Sequence, residues 1–192
     1  LTSSDQTVIL PNMAAGCSMA DMAKTNDVID AWDDIQTITT AVTPVTYMNS
    51  TASIKSLCGE NNGVVCTSSN AQAVFEWAFK QNEKIFFLPD EHLGRNTGRK
   101  LGIPQSQMVV WNPFKPMGGL TKEEILSAKV LLWKGHCSVH TRFNITQINN
   151  AREKFPDVTV LVHPECTNEV VNSADLNGST EFIIDTVNNS KS

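Results

Sequence analysis

The sequence lacks the features that mark membrane-spanning and nucleic-acid-binding proteins. None of its apolar runs approaches the roughly 20 residues that a transmembrane helix needs. Its 15 Lys and Arg residues are outnumbered by 20 Asp and Glu residues, which gives a net charge of −5. No basic run is interleaved with aromatic residues, as it is in many nucleic-acid-binding surfaces. We therefore expect no membrane partner and no nucleic-acid partner.

Cysteine is scarce, and its number is odd. Five cysteines in 192 residues do not form the disulfide framework of a small secreted domain. The first residues also lack the basic segment and apolar core of a signal peptide. We therefore expect a cytoplasmic protein whose thiols are free or bind metal. The cysteines are Cys17, Cys58, Cys66, Cys137 and Cys166.

Short apolar runs recur along the chain, and each of them ends in a polar cluster. Apolar runs without polar alternation are typical of strands that are buried on both faces. Helical patterns lie between these runs, and such alternation predicts an α/β fold with parallel sheets. Ligands of such folds bind at the carboxyl ends of the strands. The predicted strands are residues 8–10, 45–47, 64–66, 85–88, 109–111, 131–133 and 158–162.

Three helices have recognisable starts. Thr121 and Asn144 each open a capping box, which predicts helices over residues 123–129 and 145–154. A third helix follows Ser68 and Ser69, which are its N-cap candidates. Residues 93–100 contain two glycines and three basic side chains. We interpret them as a loop after the strand at 85–88, because their spacing does not match a phosphate-binding loop.

The chain contains an imperfect internal repeat. Cys17 and Cys137 lie 120 positions apart in similar contexts, and the polar tripeptides 47–49 and 163–165 align behind them. The chain starts at Leu1 without an initiator methionine, so we expect a piece of a longer protein. The repeat predicts three units, namely residues 1–17 as the tail of a first α/β domain, 18–134 as a second and 135–192 as a third.

Cys17 and Cys137 are candidate metal ligands. Each follows a predicted strand end and precedes a helical segment, and a thiol at a helix N-terminus has a lowered pKa. The equally weighted alternative is that both thiols are buried and only pack. Two cysteines do not complete a zinc or iron–sulfur site, so a third would belong to a missing copy of the repeat. For His136 and His140 we favour hydrogen bonding at the strand end over metal ligation.

The aligned tripeptides carry polar side chains suited to acid–base chemistry. His163 and Glu165 stand at positions i and i+2 of a strand end, so both can face one ligand and move protons. The alternative for Glu165 is a capping role in a turn. Tyr47, the only tyrosine, and Asn49 occupy the equivalent place, where they can donate hydrogen bonds to carboxylate or phosphate oxygens.

Three hydroxyl side chains stand at predicted helix starts. Ser68, Ser179 and Thr180 can bind anions there together with backbone N–H groups. For any one of them an ordinary N-cap role is the more common explanation.

Six motifs in order resemble the quinolinate synthase family, the A protein of NAD biosynthesis. The resemblance covers nearly the whole chain. It implies a pseudo-threefold arrangement of αβα domains around a central cavity, with one copy largely absent here. The motifs are CSMADMA (17–23), YMNSTA (47–52), CTSSNA (66–71), LPDEHLGRN (88–96), GHCSVH (135–140) and HPEC (163–166).

The resemblance also implies functional residues. Cys17 and Cys137 match two of the three cysteines that hold a [4Fe–4S] cluster in the family, while Cys66 and Cys166 match positions that are not ligands. Glu165, His163 and Tyr47 are the implied catalytic residues. The implied substrate contacts are Tyr47, Met48, Asn49, Ser68, His163, Pro164, Glu165, Ser179 and Thr180.

The implied reaction condenses iminoaspartate with dihydroxyacetone phosphate to give quinolinate, phosphate and water, with one open iron acting as a Lewis acid. A functional link to L-aspartate oxidase follows from the same resemblance. The family's N-terminal motif and its third ligand cysteine have no counterpart here, so we expect this chain to be inactive alone. The alternative function is a non-catalytic α/β module that binds an anion or a partner and contains buried structural cysteines.

Overall fold

The computed structural model describes residues 5–7, 9, 11–12 and 15–190. The strand predicted over residues 8–10 lies outside the described residues at two of its three positions. In the described part, five parallel strands form the main sheet, in the spatial order Val64–Cys66, Val42–Tyr47, Lys84–Leu88, Val130–Trp133 and Met108–Trp111, and two others form a small parallel sheet. The predicted α/β class with parallel sheets is confirmed. The strands are β1 (Val42–Tyr47), β2 (Val64–Cys66), β3 (Lys84–Leu88), β4 (Met108–Trp111), β5 (Val130–Trp133), β6 (Leu161–Val162) and β7 (Leu176–Asn177).

Helices cover both faces of the main sheet. Along β3, Phe86 packs into one core and Phe87 into the other, because successive side chains of a strand point to opposite faces. The Phe87 core contains side chains of the helices Ala71–Gln81 and Glu91–Lys100, and the Phe86 core contains those of the helices Thr25–Ile38, Ala52–Glu60 and Lys122–Ser127. The helices are α1 (Ser18–Asp21), α2 (Thr25–Ile38), α3 (Ala52–Glu60), α4 (Ala71–Gln81), α5 (Glu91–Lys100), α6 (Lys122–Ser127), α7 (Ile145–Lys154), α8 (Asn168–Ser173) and α9 (Thr180–Asn188).

The predicted helix starts are confirmed at two of three places. Capping boxes at Thr121 and Asn144 open α6 and α7. The N-cap of α4 is Asn70 rather than Ser68 or Ser69. The Oδ1 atom of Asn70 accepts the backbone N–H of Thr67 at 2.7 Å, so the two serines lie inside a turn that ends one residue before the helix.

The loop predicted over residues 93–100 is wrong, because this segment belongs to α5. Asp90 caps the helix, and its Oδ1 accepts the backbone N–H of Leu93 at 2.7 Å. The glycines allow close packing rather than breaking the helix. A Cβ atom at Gly94 would lie 2.5 Å from side-chain atoms of both Phe87 and Leu132. The polar composition of α5 is explained by its buried polar residues, which include Asn96 at 2% exposure.

The strand order places β1 beside β3, although β2 lies between them in sequence. After β1 the chain adds β2 on one side of β1, and it then adds β3 and the remaining strands on the opposite side. A crevice therefore forms at the carboxyl ends of β1 and β3. Tyr47 ends β1 and Asp90 follows β3 at this crevice. No helix in the described ranges combines the length and apolar character needed to cross a membrane.

Strand β6 of the small sheet directly precedes the segment that carries the second tripeptide. Its strand β6 is shorter than the predicted run at 158–162, because the N–H of Val160 bonds to the Oδ2 of Asp175 instead of to a neighbouring strand. β6 pairs in parallel with β7, so His163 and Gly178 follow the two strands at the same edge. The proposed boundaries at 17, 134 and 135 stay a prediction.

Candidate functional site

Glu165 lies at the centre of a buried polar group at the carboxyl edge of the main sheet. The residue is 3% exposed, and its Oε2 lies 3.1 Å from the Nδ1 of His140. Burial alone would raise the pKa of Glu165, but polar contacts with His140 and the Tyr47 hydroxyl hold it below its ordinary value. Glu165 is therefore ionised at neutral pH in spite of its burial.

His163 is held as a neutral imidazole. Its Nδ1 accepts the backbone N–H of Glu165 at 3.3 Å, so this nitrogen carries the lone pair. The separation of 3.8 Å between the same nitrogen and the Oε1 of Glu165 is therefore not an ion pair. Burial lowers the pKa of His163, and its ring stacks on His140 with centroids 4.6 Å apart. The Nε2–H of His163 remains as the donor.

Tyr47 joins this group from the end of β1. Its hydroxyl faces Glu165 and Ser68. Burial raises the pKa of Tyr47 well above its ordinary value, and the Glu165 carboxylate adds to the shift. The phenol consequently keeps its proton and acts as a hydrogen-bond donor. Met48, the next residue, is 49% exposed, and Asn49 is half-buried in the turn that follows.

The second tripeptide is fixed to α5 by one asparagine. The Nδ2 of Asn96 donates to the carbonyls of Pro164 and Cys166 at 2.8 and 2.9 Å. Its Oδ1 accepts the Nδ2 of Asn168 at 2.8 Å. Glu165 lies between the two clamped carbonyls, so α5 sets the position of its backbone. Sequence reasoning missed this role, because it treated the segment as a loop.

Asp90 is a second member of the site that sequence reasoning missed. It is fully buried, and its Oδ2 has no well-directed hydrogen bond among the described residues. Burial raises the pKa of Asp90 to about 7, and the nearby Glu165 adds to the shift. Its sequence signals were its position directly after the strand at 85–88 and its place in the motif at 88–96.

The segments that carry Cys17 and Cys137 meet in space. The hydroxyls of Ser18 and Ser138 lie 3.1 Å apart, and the indole of Trp133 donates to the carbonyl of Met22 at 2.9 Å. Cys17 is exposed and directly precedes α1, whereas Cys137 is half-buried.

Cys137 does not stand at a helix N-terminus, and the helix predicted after it begins only at Ile145. A turn and a short 3₁₀ segment, His140–Arg142, follow this cysteine. Burial raises the pKa of the Cys137 thiol, and nearby backbone N–H groups offset only part of that effect. The thiolate of Cys137 would therefore need a nearby cation to stabilise it.

The other three cysteines are buried. Burial raises the pKa of Cys58 and of Cys66 to about 12, and that of Cys166 to about 11. All three therefore remain thiols near neutral pH. Because the thiolate is the form that binds metals, these three cysteines are poor metal ligands.

Ser179 and Thr180 occupy the helix start that the sequence predicts. The Oγ of Ser179 accepts the backbone N–H of Phe182 at 3.3 Å and caps α9, while Thr180 is exposed. Gly178 donates to the carbonyl of Val162 at 3.1 Å, so this turn borders the backbone that leads into His163. The structure thus brings Tyr47, Ser68, His163 and Glu165 together and places Ser179 at the adjacent edge. The roles assigned to all of these residues stay predictions.

Comparisons with known proteins agree on one family. The family model described as quinolinate synthetase A protein matches residues 1–192. The quinolinate synthases of Corynebacterium glutamicum and Streptomyces coelicolor are each 55% identical to the chain, over 186 and 187 residues. That of Bacillus subtilis is 52% identical over 189 residues. These matches cover 96–98% of the chain but 47–51% of the relatives, so the chain spans about half the length of the curated relatives it matches.

Proposed function

The chain belongs to the quinolinate synthetase A protein family, and we propose that it acts as a quinolinate synthase of de novo NAD biosynthesis. The proposed reaction condenses iminoaspartate with dihydroxyacetone phosphate and releases phosphate and water. The observation that carries the proposal is the buried group of Tyr47, His163 and Glu165, with Ser68 beside it. A carboxylate, a phenol and an imidazole in one crevice can exchange protons with a substrate from which bulk water is excluded.

Each member of this group has a distinct proposed role. Glu165 is ionised, so it accepts protons from the substrate and returns them. Tyr47 keeps its proton and donates a hydrogen bond to a substrate oxygen. His163 donates through Nε2 to a substrate carboxylate, because its Nδ1 is engaged by the backbone. Met48, Asn49 and Pro164 line the same strand ends, and Ser179 with Thr180 would bind the phosphate or a carboxylate at the start of α9.

Cys17 and Cys137 fit the ligand set of an iron–sulfur cluster. Thiolates are the usual ligands of such clusters, and the two segments that carry these cysteines meet at Ser18 and Ser138. We assign the third thiolate to a cysteine outside these 192 residues, and we therefore expect the chain alone to be inactive. Bound there, a [4Fe–4S] cluster would supply an open iron with Lewis-acid character toward a substrate oxygen.

Two further elements of the proposal concern the cell rather than the site. We place the protein in the cytoplasm. We also expect a functional link to L-aspartate oxidase, because iminoaspartate is unstable in water and has to be supplied by an oxidation of aspartate.

The test is a chimera in which this chain replaces the matching half of the Bacillus subtilis relative, to which it is 52% identical. After anaerobic reconstitution we expect about four irons per chain and formation of quinolinate from the two substrates. Cys17→Ala and Cys137→Ala should lose both the cluster and the activity, whereas the control Cys58→Ala should keep both. A Cys137→Ala chimera that retains its iron–sulfur absorbance and makes quinolinate would refute the assignment.

A further inference from the structure

Three side chains of different chemistry converge beside the crevice. Ligand atoms of Cys137, His140 and Glu165 all lie within 4.8 Å of one another. They belong to two separate segments, the turn after β5 and the strand end after β6. A thiol, an imidazole and a carboxylate are the three side-chain types that bind Zn²⁺ in proteins.

The spacing of these atoms suits a single small ion. Tetrahedral Zn²⁺ with ligands at about 2.0–2.3 Å requires ligand atoms about 3.3–3.8 Å apart. The Nδ1 of His140 and the Oε2 of Glu165 are already 3.1 Å apart, and the thiol of Cys137 lies within 4.8 Å of both residues. The separations therefore exceed the tetrahedral spacing by at most about 1.5 Å (4.8 − 3.3), so a small side-chain movement closes the site.

The His140 ring provides a second, independent observation. Its Nδ1 is buried and lies 3.1 Å from Oε2, yet it makes no well-directed hydrogen bond among the described residues. Ligands of one metal ion point toward a shared centre rather than toward each other. A buried imidazole nitrogen 3.1 Å from a carboxylate oxygen, in a poorly directed contact, needs only a small rotation to face an ion that both atoms share.

The surrounding residues hold the carboxylate in place. Asn96 binds the carbonyls on both sides of Glu165, and Tyr47 and His163 lie against the carboxylate itself. Outer contacts of this kind orient metal ligands and raise the affinity of the site for the metal.

We propose that Cys137, His140 and Glu165 bind one divalent ion of the zinc class whenever Cys137 is not engaged by an iron–sulfur cluster. Three protein ligands leave the fourth position to water. The mixed S, N and O set favours Zn²⁺ and Co²⁺ over Mg²⁺ and Ca²⁺, which prefer oxygen ligands alone. Because Cys137 is shared, zinc and the cluster exclude each other at this cysteine. The zinc site itself does not depend on the proposed activity.

The probe is Co²⁺, which replaces Zn²⁺ and has visible absorption. The metal-free, reduced 192-residue chain is titrated with Co²⁺ under anaerobic conditions. We expect one Co²⁺ per chain, a thiolate-to-cobalt charge-transfer band and intense ligand-field bands of tetrahedral cobalt, all removed by one equivalent of Zn²⁺. Since loss of an outer contact alone costs about 10- to 100-fold in metal affinity, His140→Ala and Glu165→Gln should each weaken Co²⁺ binding at least about 10-fold.

Matched controls separate this site from the cluster and from misfolding. Cys137→Ser should remove the charge-transfer band, whereas Cys17→Ser and Cys166→Ser should leave the Co²⁺ spectrum and affinity unchanged. Far-UV circular dichroism and urea unfolding confirm that each variant is folded. If His140→Ala does not fold, Glu165→Gln and His140→Asn decide the outcome.

Two results would overturn the inference. One is Co²⁺ binding without a thiolate band, and the other is equal Co²⁺ affinity in the wild-type chain, in Glu165→Gln and in whichever His140 variant folds. The inference and the proposed function fail separately. A Cys17→Ser chimera that loses the cluster should still bind Co²⁺, and a chimera that makes no quinolinate leaves the cobalt result standing.

Discussion

Replacing Asn96 should loosen the part of the site that carries Glu165. Asn96 makes three hydrogen bonds of 2.8–2.9 Å, two buried ones to carbonyls and a partly buried one from Asn168. A hydrogen bond contributes about 0.5–1.5 kcal/mol net, and leaving a buried partner unsatisfied costs about 1–3 kcal/mol. Because some of the freed groups will find water, we expect Asn96→Ala to lower the free energy of unfolding by about 3 kcal/mol.

Two comparisons make the Asn96 experiment specific. Asn96→Asp keeps the shape and the acceptor but loses both donors and places a carboxylate beside two carbonyls, so it should destabilise at least as much as Asn96→Ala. Asn172→Ala removes an exposed hydrogen bond to Asn168 and should change stability by less than about 0.5 kcal/mol. The assay is urea unfolding of the chain, followed by circular dichroism. If Asn96→Ala lowers the free energy of unfolding no more than Asn172→Ala does, Asn96 does not hold the segment that carries Glu165.

Two further predictions concern α5 and its cap. Gly94→Ala forces a Cβ atom to 2.5 Å from Phe87 and Leu132 and should destabilise by about 1–3 kcal/mol in urea unfolding. Its control Gly59→Ala, in a helix with no atom within 4 Å of the added Cβ, should be neutral or stabilise by up to about 1 kcal/mol; equal effects would contradict the packing argument. Asp90 has a folded pKa of about 7 against an ordinary 3.8, so its contribution to stability is present at low pH and is lost as pH rises through 7. Asp90→Asn, which keeps an acceptor for the cap of α5, should therefore gain stability relative to the wild-type chain between pH 5 and pH 8, by at most about 3 kcal/mol (about 1.4 kcal/mol for each pH unit from 5 to 7). If the free energies of unfolding of the two proteins, measured in urea, change with pH in parallel, this prediction is wrong.

The main sheet could be predicted from sequence because its signal is local. The residues around Phe86 form a short apolar run that is buried on both faces, and the sequence pattern already requires this. The same locality explains the confirmed capping boxes at Thr121 and Asn144, where the two partners stand three residues apart. Helix α5 could not be predicted in this way. Its glycines and polar side chains resemble a loop until Gly94 is seen to contact Phe87.

The site depends on contacts between distant parts of the chain. His140 and Glu165 are 25 positions apart, and Asn96 reaches across about 70 positions to Pro164 and Cys166. No local pattern records such pairs, which is why sequence reasoning gave His140 a supporting role and missed both Asn96 and Asp90. The tripeptides were found because the internal repeat and the family resemblance pointed to the same positions.

The central claim is that the buried group around Glu165 is the catalytic centre. Its most direct test is the rate of quinolinate formation by the cluster-loaded chimera and by its Glu165→Gln variant, compared at equal iron content. Because general acid–base catalysis contributes about 10²- to 10⁴-fold, we predict that Glu165→Gln lowers kcat by at least about 100-fold while the cluster absorbance stays unchanged. A variant that keeps its cluster and turns over within a few-fold of the unmodified chimera would contradict the claim.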